Sequence, residues 1–156
     1  MSFTLISNDI TDGGVLPDAQ VKAKGDTSPH LRWSGAPEGT KSYAVTCYDP
    51  DAPTGSGFWH WTVANIPADV TELPTGGPVP AGAVEGRTDY GEPGFGGAAP
   101  PPGHGPHRYI FTVFAVDTEK LEVTPDNSGA VFGFNLHFHT LARASITATY
   151  ENTGQG

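Results

Sequence analysis

Glycine and proline interrupt this chain too often for it to be built from long helices. The sequence holds 21 glycines and 15 prolines in 156 residues, and these are the two poorest helix formers. They follow no G-X-Y period, which excludes a collagen helix. Disorder is excluded too, because 37% hydrophobic residues, with 10% aromatic, suffice for an ordinary core. A chain of this length buries roughly 70% of its unfolded surface and needs no disulfides to hold that core. The expectation is a mainly β fold with many turns and long ordered loops, residues 1–156 forming one domain.

The apolar pattern places the strands. In Ser42–Asp49, Tyr43, Val45 and Cys47 share one face, and Ala44, Thr46 and Tyr48 the other. Both faces are mostly apolar, which predicts a central strand covered on both sides. Phe58–Ile66 and His107–Val116 are rich in aromatic and β-branched residues and read as strands. Ser145–Tyr150 is a fourth, and Phe3–Ser7 and His30–Ser34 are weaker candidates. Thr118–Val123 allows one short turn or helix. Phe134, Phe138, Leu141 and Ser145 recur at helical spacing, predicting a helix over roughly Ala130–Arg143 with Ser128 near its N-cap. Two long loops, Asp49–Gly57 and Glu85–Pro106, break the strands; loops this long in a small domain are usually functional or mobile.

Charge and cysteine content narrow the function. The formal net charge is -9, with no Lys/Arg run, so a nucleic-acid backbone is not the partner. The single cysteine, Cys47, reads as a small buried hydrophobe. Met1–Asp12 lacks the basic and apolar regions of a signal peptide, and there is no apolar run of 18 residues. The expectation is a cytoplasmic protein with no transmembrane segment.

Three segments concentrate polar chemistry. Asp49-Pro50-Asp51-Ala52-Pro53 closes an apolar strand with two carboxylates one residue apart, which share a side where the backbone is extended; the bland alternative is an Asp-rich turn. Phe58-Trp59-His60-Trp61 sets a histidine among aromatics, the pattern of many core histidines. Pro100 to Tyr109 runs from a proline stretch to His107-Arg108-Tyr109 at a strand start, with Gly103 and Gly105 free to adopt positive φ. Arg108 is either a surface charge or a partner for an Asp of the first loop. The inventory fits three chemistries. An anion pocket would use His60, His107 and Tyr109. A metal site would use Asp49, His60, His104 and His107. An Asp–His pair would serve acid–base catalysis. No compact metal signature or nucleophile elbow is present.

At these residues the chain resembles the phosphatidylethanolamine-binding protein family, in its bacterial and archaeal Raf-kinase-inhibitor-like, YbhB/YbcL-type branch. D-P-D-x-P stands as Asp49–Pro53, W/F-x-H as Phe58–His60, and G-x-x-P-P-x-G-x-x-H-R-Y within Gly97–Tyr109. Ser28–Gly35 and the Phe134–Ala144 region are also similar. The resemblance implies a β-sandwich with a large central antiparallel sheet, a smaller second sheet and short helices, one near the C-terminus. It implies an anion or phosphate-headgroup pocket formed by Asp49, Asp51, Phe58, His60, Ala99, Pro100, His107 and Tyr109. Pro101, Gly103, His104 and Arg108 stand at the rim. It also implies a cis bond at Ala52–Pro53. Asp49 is expected to hydrogen-bond a pocket histidine, and Asp51 to hold the loop or contact an ammonium group. Ala99 and Phe58 depart from the glycine and tryptophan usual in animal members.

The leading expectation is a small-ligand binding protein for an anion or phosphate headgroup, without metal or cofactor and without catalytic residues. The alternatives are a protein-interaction modulator using the 85–106 loop and a hydrolase using the Asp–His pair. A homodimer is expected as well, with the Phe132–Leu141 cluster or strand edges as contacts. His137 is expected at the surface, and His139 packing the helix against the sheet.

Overall fold

Among the described residues, turns, including a single 3-10 turn at Asp18–Gln20, separate eight extended runs and one α-helix. In chain order these are β1 (Thr4–Ile6), β2 (Leu31–Ser34), β3 (Ser42–Asp49), β4 (Phe58–Pro67), β5 (Glu72–Leu73), β6 (Val84–Glu85), β7 (His107–Val116), α1 (Gly129–His139) and β8 (Thr140–Tyr150). The computed structural model describes residues 2–154; Met1, Gln155 and Gly156, part of the expected 1–156 domain, lie outside the described residues. The strands pair antiparallel into a three-stranded sheet, β1-β2-β5, and a five-stranded sheet, β6-β4-β3-β7-β8. This is the expected mainly β architecture, with its helix near the C-terminus.

The doubly apolar pattern of β3 explains its place. It lies between β4 and β7, and all its residues but Tyr48 are buried. Tyr43, Val45 and Cys47 face a core shared with Leu31, Trp33 and Leu73 of the smaller sheet. Ala44, on the other face, joins Ala64, Phe114, Phe132 and Leu136 under α1. Cys47 is 1% exposed, and burial pushes its thiol well above the usual range. Among the described residues no helix is long and apolar enough to cross a membrane.

The C-terminal third differs from the sequence expectation. The Ser128 hydroxyl does cap α1, accepting from Val131 N. The helix then ends at His139, and β8 starts at Thr140, so Leu141 and Ser145 lie on a strand that pairs with β7 throughout. The buried residues of α1 are Gly129, Phe132 and Leu136. Phe134 and Phe138 are 67% and 63% exposed. The reason is apolar residues on both sides of the helix: periodicity alone selected the outer stripe. Gly129 decides for the inner one, since a Cβ there would stand 2.1 Å from the Trp59 ring. Phe132, expected among the contacts between copies, is 0% exposed and unavailable for one. His139 does not pack on the sheet; its Nδ1 bonds Asp117 Oδ1 at 2.8 Å in a half-exposed position. Thr118–Val123 forms bends instead of a helix.

The two faces of α1 should respond differently to truncation. Phe132→Ala removes a fully buried ring and should cost about 3–5 kcal/mol. Phe134→Ala should stay within about 0.5 kcal/mol. Urea denaturation midpoints of the two variants check this; equal midpoints would contradict the packing described.

Candidate functional site

The chain brings the ends of three strands together: the C-terminal end of β3, the start of β4 and the start of β7. Asp49 is the last residue of β3 and pairs in register with Phe58, the first of β4. His107 is the first residue of β7. Asp49 and His107 are 2% and 1% exposed. Their contact is a hydrogen bond of 2.7 Å from His107 Nδ1 to Asp49 Oδ2. The other carboxylate oxygen accepts from Asp51 N at 2.7 Å, turning the chain out of β3. A buried carboxylate needs such partners, because an unpaired charge at this depth is very costly.

Asp51 turns away from this pair. Its Oδ2 accepts from Arg108 N at 2.9 Å and Nε at 3.0 Å, and its Oδ1 accepts from Nη2 at 2.8 Å. This two-pronged contact with the guanidinium lowers the Asp51 carboxyl to about 2. Arg108 is thus the loop's partner, one of the two roles open for it in the sequence, and Asp51 anchors the Asp49–Gly57 loop to β7. That loop is also tied by Tyr48 Oη, which donates to Ser56 O at 2.9 Å. Gly57 is required beside it: its φ is +71°, and a Cβ would stand 2.2 Å from Tyr48 Oη. The cis bond expected at Ala52–Pro53 is absent; the cis proline of the described residues follows Gly77. The Asp49–Asp51 turn and a bond from Thr54 N to Ala52 O bend this loop with a trans peptide.

His60, 3% exposed on β4, donates from Nδ1 to the Gly96 carbonyl at 2.8 Å. A carbonyl only accepts, so the proton of the neutral ring sits on Nδ1 and Nε2 carries a lone pair. Burial holds this histidine below its ordinary value, favouring that neutral form. Its ring packs against Phe58 at 4.7 Å, Tyr109 at 5.3 Å and Tyr90 at 5.7 Å between centroids. Tyr90 in turn donates to Gly97 O at 2.7 Å and is pushed up to about 12 by burial. Tyr109 is 1% exposed, and its hydroxyl has no hydrogen-bond partner. Burial raises this phenol too, so it stays protonated.

These groups line a cavity of about 140 Å³: Asp49, Phe58, His60, His107 and Tyr109, with Ala99 and Pro101 from the long loop. Ala52, Pro53, Thr54 and Tyr90 complete the wall. Hollows of about 320 and 400 Å³ lie elsewhere, but the smaller one is where the buried polar groups converge. Of the residues expected to form the pocket, Asp51 and Pro100 do not line this cavity. Pro100 lines the adjoining groove with Lys22, Lys24 and Tyr150. Of the expected rim, Pro101 is in the wall, while Gly103, His104 and Arg108 lie outside it. His104 nonetheless reaches the site through His107: its Nδ1 lies 2.5 Å from His107 Nε2. Tyr90 escaped sequence reading because nothing periodic marks the path of its loop; an aromatic inside a Gly-rich stretch was the available signal. Among the described residues no three His, Cys, Asp or Glu side chains are arranged to hold a metal ion, so the four candidate ligands do not form a set.

The chain is thus a two-sheet β-sandwich with a buried His–Asp pair at one end of its larger sheet. The family model for phosphatidylethanolamine-binding protein matches residues 6–151, and the chain belongs to that family. It is 55% identical to YbhB of Escherichia coli over 94% of this chain and 98% of that protein. The crystal structure of E. coli YbcL, described as a member of the mammalian PEBP family, superposes with a TM-score of 0.93 at 53% identity, covering 96% of this chain and 98% of that one. A homologue from Chlamydia trachomatis is 28% identical, with a TM-score of 0.86 over 97% of this chain and 98% of that one.

Two variants separate the roles of the aspartates. Asp49→Ala strands the His107 Nδ1–H in the core and should cost about 3 kcal/mol in denaturation experiments. Arg108→Ala should bring the Asp51 carboxyl back up toward its ordinary value of about 3.9, read by carbon NMR titration. The sign follows from the depressed folded value. The stability that Asp51 contributes is present above the ordinary carboxylate range and is lost as pH falls toward 2.

Proposed function

We propose that this chain is a small-ligand binding protein whose cavity takes one oxyanion, either free phosphate or the phosphate of a headgroup. The observation that carries the reading is the Tyr109 hydroxyl, which is buried, protonated and unpartnered on the cavity wall. A buried hydroxyl without a partner costs about 1–3 kcal/mol, and an oxyanion supplies the missing acceptor. The cavity volume of about 140 Å³ suits a single tetrahedral group. Membership of a family named for phosphatidylethanolamine points to the same ligand class.

The proton inventory sets the form of the ligand. His60 Nε2 is an acceptor while the ring is neutral. A bare dianion facing it would meet lone pair against lone pair. An oxyanion therefore fits when it carries a proton of its own, as monohydrogen phosphate does, or when His60 takes one up. A hydrolase is disfavoured by the same wall. Its aliphatic hydroxyl is Thr54, whose Oγ1 donates to Gly57 O and accepts from Ser56 N, leaving the His–Asp pair no free nucleophile. The chain is accordingly read as a binding or regulatory protein, not an enzyme.

Calorimetry with inorganic phosphate tests this. Where His60 takes up the proton, affinity should rise as pH falls from about 8 to 6, by up to about tenfold per pH unit. Runs in buffers of different ionisation enthalpy separate the two routes: net proton uptake if His60 is protonated, none if monohydrogen phosphate carries the proton. Tyr109→Phe should lower phosphate affinity roughly tenfold while leaving stability unchanged or higher, since it removes an orphaned polar atom. Unchanged affinity in Tyr109→Phe would reject the reading.

A further inference from the structure

His107 has two ring nitrogens, and both are engaged. Nδ1 donates to the buried Asp49 carboxylate. Nε2 is therefore its one remaining polar atom, and the atom an oxyanion in the cavity has to reach. His104 Nδ1 already holds it, at 2.5 Å, with ring centroids 4.8 Å apart and planes inclined by 63°. A hydrogen bond between two imidazole nitrogens contains one proton. Either His104 donates to a neutral His107, or a charged His107 donates to His104.

We propose that His104 competes internally for the ligand's place on His107, so that an oxyanion engages His107 only by displacing the His104 ring. The proposal rests on the oxyanion reading above and adds to it a residue that sets affinity and selects among ligands. His104 is placed for such an exchange. It is exposed, whereas His107 is 1% exposed and forms part of the cavity wall. It stands between Gly103 and Gly105, at φ +77° and +83°, where an added Cβ would meet nothing within 4 Å. No side chain packs on either pivot. The backbone leading into the ring is held by Gly103 N to Asn152 O at 3.1 Å and His104 N to Pro101 O at 3.2 Å. The ring can leave while its backbone stays.

The exchange has a chemical selectivity. After His104 departs, His107 needs a proton on Nε2 as well as the one Nδ1 donates to Asp49, and the Asp49 carboxylate behind it stabilises the imidazolium this makes. A charged oxyanion gains from that pairing. A neutral ligand does not, and it leaves His104 in place. His104 thereby raises the threshold for every ligand that needs His107 and none for a ligand confined to the His60 and Tyr109 side.

The test is phosphate calorimetry on the full chain and on His104→Ala, with thermal melts to establish that this exposed substitution leaves the fold intact. His104→Ala should bind inorganic phosphate about fivefold more tightly, the worth of one ordinary hydrogen bond no longer displaced. Equal or weaker binding by the variant, with binding by the unmodified chain, overturns the competitor role and leaves the oxyanion reading standing. No phosphate binding by either protein overturns both. A second readout needs no variant: the ¹⁵N–¹⁵N coupling across the hydrogen bond between His104 Nδ1 and His107 Nε2 should vanish as phosphate is added. Its persistence at saturating phosphate also overturns the proposal.

Discussion

Asp49 and His107 each sit almost wholly out of water, and neither tolerates that position without the other. Removing either leaves a charge or a polar hydrogen in the core, and such losses are among the largest a small domain can suffer. Their bond also fixes positions. It joins the last residue of β3 to the first residue of β7, at the end of the larger sheet where the cavity lies. Because a carboxylate accepts only, it holds His107 with its proton on Nδ1 and its Nε2 toward the ligand side. One contact thus serves the sheet, the tautomer and the recognition chemistry.

A second pair performs the same closure at the surface. Asp51 lies two residues after Asp49 and Arg108 directly after His107, and their bidentate contact ties the same two segments together from outside. On β7, alternation sends His107 inward and Arg108 outward; on the other segment the turn made by Asp51 N on Asp49 Oδ1 takes Asp51 out of line with Asp49 and toward solvent. The outer contact is exposed and contributes modestly to stability. Its effect is geometric, since it orients the Asp49–Gly57 loop whose Ala52, Pro53 and Thr54 form part of the cavity wall.

How much of this was legible in the sequence depended on whether a local signal agreed with the tertiary outcome. β3 and β7 were readable to the residue, because β-branched and aromatic residues fill both faces and strand propensity and burial coincide. The opposite happened at 140–144. Thr140-Leu141-Ala142-Arg143-Ala144 is rich in helix formers, yet it extends β8, because pairing with β7 satisfies its backbone along a ready edge. Asp49, His60, His107 and Tyr109 were legible from motifs at strand ends, whose side-chain direction a strand dictates. Pro100 and Tyr90 were not, since they lie in a long loop with no period. Its path is set by contacts such as Tyr90 Oη on Gly97 O and Gly97 N on Asp26 Oδ1, which only the folded chain brings together.

The acidity of the chain sharpens what recognition must achieve. A net charge of -9 opposes an approaching anion, but at about 0.1 M salt that field is screened beyond about 10 Å. Selection therefore falls to the groups inside the cavity. There the two carboxylates that looked hostile to an anion are both taken: Asp49 by His107 and the Asp51 amide, Asp51 by Arg108. The residues of the wall bring a neutral acceptor on His60, an unpartnered hydroxyl on Tyr109, and a His107 nitrogen that His104 holds. With neither carboxylate charge left bare, discrimination on the proposed reading rests on the number and placement of protons. Under the proposed reading, the proton that matters most is the one that turns the His60 Nε2 lone pair into a partner.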